Sequence, residues 1–242
     1  MPAHTYLDKG LTIFQTRMQE PMVAAPTPAG AEAQPFITLS REAYAGATTL
    51  GQILIPMLED GFGREHQSWM FLDRNLLNFA LSSHQLPERL ADVLPEDRIS
   101  EIKAIIGELV GLHPPLWELE EQIGETIRHL ARSGRVIFVG RAGHLITKSL
   151  PGGFHVRLVA SKETRIRRMM ADKTCDWAAA QEFVDSTDLA RRRFVKTKFG
   201  TDIDDPHTYD LVVNTDLMPP ETVAAVVMEG FKQRRMARSV RS

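Results

Sequence analysis

The sequence predicts an α/β domain, a parallel sheet covered by helices on both faces. Three observations carry this. Short apolar runs alternate along the chain with longer stretches whose apolar residues recur at helical spacing. The runs are brief and apolar, as strands buried on both faces are. A chain of 242 residues, 43% hydrophobic and 25% charged, is that of an ordinary soluble domain with one sizeable core.

The first 34 residues read as a flexible N-terminal extension. Within it, residues 6–18 either form one short helix, with Leu7, Leu11 and Phe14 on a common face, or remain disordered, because short isolated helices are marginal. Residues 21–35, rich in Ala and Pro without periodicity, read as a linker. The domain proper is expected over 35–231. Strand-like runs fall near Phe36, Met70, Arg135, Phe154 and Leu211. After the first, Leu50, Ile53, Leu54, Met57 and Leu58 mark a helix. The stretch 75–134 between the second and third strands is too long for a simple crossover and reads as a helical insert. Its two periodic stripes are Ile102, Ile105, Ile106, Leu109 and Val110, then Leu119, Ile123, Ile127 and Leu130. A loop at 82–88 and another around Pro95 break it, and Ser133-Gly134 ends it. Beyond the fourth strand, 163–179 and 181–198 read as two charged helices. A closing helix over 221–231 precedes a basic tail, 232–242, containing Lys232, Arg234, Arg235, Arg238 and Arg241.

Composition excludes several classes. Lys+Arg 29 against Asp+Glu 31 gives a formal net charge of -2, which does not suggest a nucleic-acid binder. The single cysteine, Cys175, forms no internal disulfide or cysteine metal centre and reads as a half-buried residue at a helix edge. No run approaches the roughly 18 to 20 apolar residues of a membrane span. The N-terminus lacks the basic start and apolar stretch of a secretory signal. Lys9 and Arg17 are offset by Asp8 and Glu20, which argues against a transit peptide. A cytoplasmic location is expected. The histidines show no metal-ligand spacing, and no nucleophile elbow is present.

In a sheet of this kind ligands sit outside the carboxyl ends of the strands. The candidates are therefore 40–49, Asp73-Arg74, Gly140-Arg141, Ser161 and 214–216. Residues 40–49 (SREAYAGATT) lie between a strand and a helix, the place of a phosphate-binding loop or of an ordinary helix N-cap. Six arginines, Arg165, Arg167, Arg168, Arg191, Arg192 and Arg193, fall on two adjoining helices. They suit phosphate oxygens, or form a solvated face paired with Glu163, Asp172, Glu182 and Asp185. Asp188 and Arg191, three apart, share a helix face. Asp73 is either a base near an acceptor or the cap of the helix that starts at Asn75.

Six segments in this order, ITLSREAYAGATTLG (37–51), FLDRNL (71–76), IFVGRAG (137–143), HVRLVASKETRIRR (155–168), TDLARRR (187–193) and FGTDIDDPHTYDLVVNT (199–215), resemble the cytidylate kinase-like family of P-loop nucleotide kinases. The resemblance implies a three-layer α/β/α fold, a five-stranded parallel sheet in the order 2-3-1-4-5, and an arginine-bearing lid over about 163–198. It implies that Ser40, Arg41, Gly46, Ala47, Thr48 and Thr49 hold the phosphates of ATP, with Thr48 at the position of the Mg2+-binding hydroxyl. Asp73, Arg74 and Arg141 would face the acceptor nucleotide. Arg165 and Arg168 correspond to lid arginines, and Asp188 and Arg191 to the pair that holds the acceptor's sugar and base. Arg41, Arg165, Arg168 and Arg191 are the expected charge-stabilising set.

The departures concern the same loop. Ala47 stands at the lysine position of the Walker pattern, and only Gly46 survives of a glycine-rich stretch, which restricts how closely backbone approaches phosphate. Ala142 replaces an aspartate after Gly-Arg, and Val184 an arginine of the lid. The expected function is ATP- and magnesium-dependent phosphoryl transfer to a nucleoside monophosphate, CMP-like, or a similar small phosphate acceptor. The alternatives are a nucleotide-binding regulatory protein with a degenerate loop, and an interaction module using the basic tail. The expected partners are the nucleotide donor and the acceptor, with no nucleic acid and no membrane.

Overall fold

The computed structural model describes residues 13, 14, 16, 17, 33–62, 68–72 and 116–239. Asp73, Arg74, the stripe from Ile102 to Val110 and the loops at 82–88 and Pro95 lie outside them. Among the described residues five strands are present: β1 (Phe36–Arg41), β2 (Met70–Leu72), β3 (Val136–Val139), β4 (Gly153–Val159) and β5 (Leu211–Asn214). All pairings are parallel and the order is β2-β3-β1-β4-β5, as the resemblance implied. The helices are α1 (Ala47–Phe62), α2 (Leu116–Ser133), α3 (Gly143–Ile146), α4 (Lys162–Asp172), α5 (Trp177–Phe199) and α6 (Pro220–Ser239).

Alternation along each strand divides the core in two, since successive side chains point to opposite faces. Ile37, Leu39, Ile137, Val139, Phe154, Val156 and Leu158 pack with Leu50, Leu54 and Leu58 of α1 and Val227 and Phe231 of α6. Phe36, Val136 and Phe138 face the other way, against Ile127, Leu130 and Ala131 of α2. On that second face the neighbouring positions of β1 and β4 are polar: Thr38, Ser40, His155 and Arg157, all buried. Gly51 lets α1 lie directly on β2, because a Cβ there would collide with the Phe71 ring.

Three boundaries differ from expectation. The two charged helices break at 173–176 rather than near Ala179, because Lys173 is extended and Asp176 caps α5 by accepting from the Ala179 amide at 2.8 Å. Cys175 lies, half-buried, in this break. The basic tail is helical as far as Ser239, continuing α6, and Arg234 pairs with Asp210. Part of the N-terminal extension belongs to the domain. Phe14 is buried against α2, and Arg17, also buried, donates to the carbonyls of Gly134 (2.6 Å) and Ser68 (3.1 Å).

Candidate active site

The site grows from the end of β1. Ser40 and Arg41 finish the strand, residues 42–46 turn, and Ala47 opens α1. Two residues of the turn are left-handed, Tyr44 at φ 58° and Gly46 at φ 92°. Glycine adopts that region freely, whereas tyrosine pays for it. The turn is tied from outside by side chains. Thr215, after β5, donates through Oγ1 to the Ala45 carbonyl at 3.1 Å. Arg168 of α4 donates to Thr215 Oγ1 (2.9 Å), to the Thr215 carbonyl (2.6 Å) and to the Tyr44 carbonyl (3.5 Å). The Ala43 amide donates to Asp188 Oδ1 at 2.7 Å.

In front of the turn lies a cleft of about 700 Å³, lined by residues 41–50 and closed on its other sides by Arg168, Phe183, Thr187, Arg191, Thr215 and Met218. That volume suits a small-molecule ligand. Thr48 and Thr49 are exposed in the first turn of α1, while Ala47 is buried and packs in the core. A smaller cavity of about 40 Å³ adjoins, between Ser40, Arg41, Arg141, His144 and Arg191. Arg41 and Arg191 line both spaces, and Arg191 donates to the Arg41 carbonyl at 3.3 Å.

The predicted residues therefore separate into two groups. Arg41, Gly46, Ala47, Thr48, Thr49, Arg168 and Arg191 converge on the cleft, and Ser40 and Arg141 on the smaller cavity. Arg165 and Asp188 do not line either space. Both are buried, and Arg165 Nη1 donates to Asp188 Oδ2 at 2.5 Å. The two side chains pair with each other behind the loop.

Sequence reasoning missed a polar cluster beneath the smaller cavity. Arg157, buried in β4, donates to Ser40 Oγ at 3.0 Å, pairs with Asp204 and lies over the Tyr209 ring, 5.8 Å from its centroid. Tyr209 donates to the Ile203 carbonyl (2.7 Å), its hydroxyl oxygen accepts from Ser40 Oγ (3.2 Å), and its ring stacks on His144 at 4.5 Å. Burial raises the Tyr209 phenol above its usual range, with the Ser40 hydrogen bond and the Arg157 charge opposing. Burial, reinforced by the charges of His155 and Arg157, lowers His144 to about 3, so the ring is neutral at pH 7. Asp204 is pushed up by burial, but the hydrogen bond from Arg192 and the Arg157 charge outweigh that and hold it below the carboxylate range. The available signal was the strand FHVRLVA itself, since a histidine and an arginine at alternate positions of a buried strand require partners on one face.

Comparison with known proteins matches residues 36–217 to the model of the cytidylate kinase-like family. The chain belongs to that family. A cytidylate kinase from Thermoplasma volcanium is 33% identical over 94 residues, 38% of this chain and 50% of the relative. One from Thermoplasma acidophilum is 28% identical over 93 residues, again 38% and 50%. The chain thus spans about half the length of the curated relatives it matches. Among solved structures, an uncharacterized protein from Eubacterium ventriosum superposes with a TM-score of 0.59 at 16% identity, covering 82% of this chain and 99% of the other. That likeness bears on the fold alone. Among the described residues no helix is long and apolar enough to cross a membrane.

Proposed function

We propose that the protein transfers a phosphoryl group from ATP to a nucleoside monophosphate, CMP-like, or a similar small phosphate acceptor. The observation that carries this reading is the cleft. A strand-to-helix turn with an exposed threonine pair at the helix N-terminus faces Arg168 and Arg191 across about 700 Å³. Phosphoryl transfer is mostly positioning and neutralisation of charge, and these groups are of the right kind for both. A Cβ built on Gly46 meets no atom within 4 Å, so the space above the turn is open to an anion.

The residues present fit a magnesium nucleotide. The hydroxyl of Thr48 is the hard oxygen donor that Mg2+ takes, and the helix N-terminus favours phosphate. When bound, the metal would neutralise charge on the phosphates. The chain's own work is to fix the phosphates on residues 46–49, to present Arg41, Arg168 and Arg191 to them, and to hold the acceptor's phosphate near Arg141. Asp73 and Arg74 remain the proposed acceptor contacts of the β2 end. Ser40, tied to Arg157 and Tyr209, sets the floor between donor and acceptor sides.

The second reading, a nucleotide-binding regulatory protein, is favoured by Ala47, which offers no charge and is packed in the core. The test is product formation from ATP, Mg2+ and a panel of nucleoside monophosphates, with two variants alongside. If Arg41 fills the role of the missing lysine, Arg41→Ala abolishes transfer and Ala47→Lys is neutral or harmful. If the loop is merely degenerate, Ala47→Lys raises transfer. ATP-dependent thermal stabilisation with no product from any of the three proteins favours the regulatory reading, and no stabilisation by any nucleotide ends both.

A further inference from the structure

Between the cleft and the polar cluster beneath it, one buried group stands without a partner. His144 is 2% exposed, and its Nε2 meets no hydrogen-bond partner among the described residues. The ring is fixed, stacked on Tyr209 with centroids 4.5 Å apart and planes 28° apart. Buried polar atoms are nearly always paired, so an orphan asks for a reason. His144 lines the smaller cavity, about 40 Å³, together with Ser40, Arg41, Arg141 and Arg191. At about 10 to 15 Å³ per water, that space holds about three waters, which suits one polar head group and not a base. Three of its described lining residues are arginines and none is a carboxylate, so an anion is favoured there. The segment that brings His144 to the cavity is itself strained. Gly140, Arg141 and Ala142 are consecutive left-handed residues, at φ 84°, 54° and 51°. Two of the three carry a Cβ, and such strain gathers where a ligand is held. The turn closes with the Gly143 amide donating to the Gly140 carbonyl at 3.0 Å. Ala142 and Gly143 offer no polar side chain, so this turn reaches the cavity through Arg141 and His144.

We propose that His144 is a binding residue for the acceptor, donating through Nε2 to an oxygen of the acceptor's phosphate in the smaller cavity. This rests on the nucleotide reading above and adds a contact to it. A neutral imidazole has one N–H and one lone pair. An anion among guanidinium groups offers acceptors only, so the proton of His144 belongs on Nε2. Burial and the charges of His155 and Arg157 keep the ring neutral at pH 7. It therefore adds a directed hydrogen bond without adding a further positive charge to a cavity already lined by Arg41, Arg141 and Arg191. The stack on Tyr209 holds the ring in place, and Tyr209 is itself anchored through the Ile203 carbonyl at 2.7 Å. A donor held this firmly selects by position, which a long arginine side chain does less well.

The test compares the full chain with His144→Phe, which keeps a ring on Tyr209 but no donor, and His144→Gln, which returns an N–H close to the Nε2 position. Steady-state kinetics with CMP and ATP are read beside the imidazole nitrogen NMR signals of the unsubstituted protein during titration with inorganic phosphate. The His144 signal is identified by its loss in His144→Phe. That variant is expected to raise the KM for CMP about tenfold, the effect of one hydrogen bond to a charged group, with the KM for ATP unchanged. His144→Gln should recover most of the loss, and the Nε2 signal should be that of a protonated nitrogen that shifts as phosphate is added. An unchanged KM for CMP in His144→Phe overturns the proposal, as does a loss shared equally by ATP or equal losses in the two variants. A signal that phosphate does not move overturns it too, since the ring would then bond to solvent alone. Where His144→Phe does not fold, His144→Gln identifies the signal and the phosphate titration decides. If the unsubstituted protein phosphorylates no nucleoside monophosphate, the nucleotide reading falls instead, and the same titration still decides whether His144 binds an anion.

Discussion

Arg165 and Arg157 are both buried close to the end of β1, yet their partners differ. Arg165 meets Asp188, whose side chain is 8% exposed, whereas Arg157 meets Asp204, 41% exposed and shared with Arg192 on the surface. Burial of the partner decides what each pair contributes. A charge left alone in a closed site has no water to turn to, while one left beside an open surface regains solvent when its partner goes. The first pair is thus suited to fixing a backbone, and the second to anchoring the 203–209 segment while remaining responsive to acid.

The largest expected effect follows from removing one member of the closed pair. Arg165→Met should cost about 3 to 5 kcal/mol in urea unfolding, the range for breaking a buried ion pair from one side. Arg157→Met, which leaves the exposed Asp204 to solvent and Arg192, should cost less, about 1.5 to 3 kcal/mol, the range for a hydrogen bond to a charged group. Equal losses would break the comparison.

Acid should reveal the open cluster next. His144 is lowered in the folded state to about 3, from the 6.5 of an ordinary imidazole. The unfolded chain therefore binds a proton that the folded one does not, and stability falls as pH drops from about 6.5 toward 3. The depressed Asp204 acts in the same direction at lower pH: its contribution, present above the ordinary carboxylate pKa, is lost as pH falls through the folded value. Replacing His144 with Phe, which preserves a ring against Tyr209, should flatten the upper part of this acid limb in pH-dependent unfolding. A limb unchanged in that variant would place the sensitivity elsewhere.

The smallest structural effect is expected at Arg191, on the cleft wall, with a side chain 15% exposed. Arg191→Ala should lower stability by under about 1 kcal/mol yet reduce kcat/KM about tenfold or more, as loss of a charge-assisted contact does. Normal turnover would assign Arg191 to the charged surface. Together with Arg165→Met, this separates an arginine that serves the fold from one that serves a ligand.

The sequence by itself determined the five strands, the parallel sheet, the place of the turn after β1 and most of the residues that line the cleft. Those features are local: apolar runs, helical spacing and the position of a turn after a strand are written in contiguous residues. The family resemblance added the strand order, which no run of residues states. Only the tertiary structure decided which arginines face outward. Arg165 and Arg168 sit three apart on one helix and look alike in sequence, but Asp188, 23 residues further on, turns Arg165 inward while Thr215 holds Arg168 at the cleft. The same holds for Arg157, whose partners Ser40, Asp204 and Tyr209 lie up to 117 residues away along the chain. A charged side chain has no intrinsic destination. Its direction is set by where a compensating charge arrives in space, and that is fixed only when distant strands and helices pack.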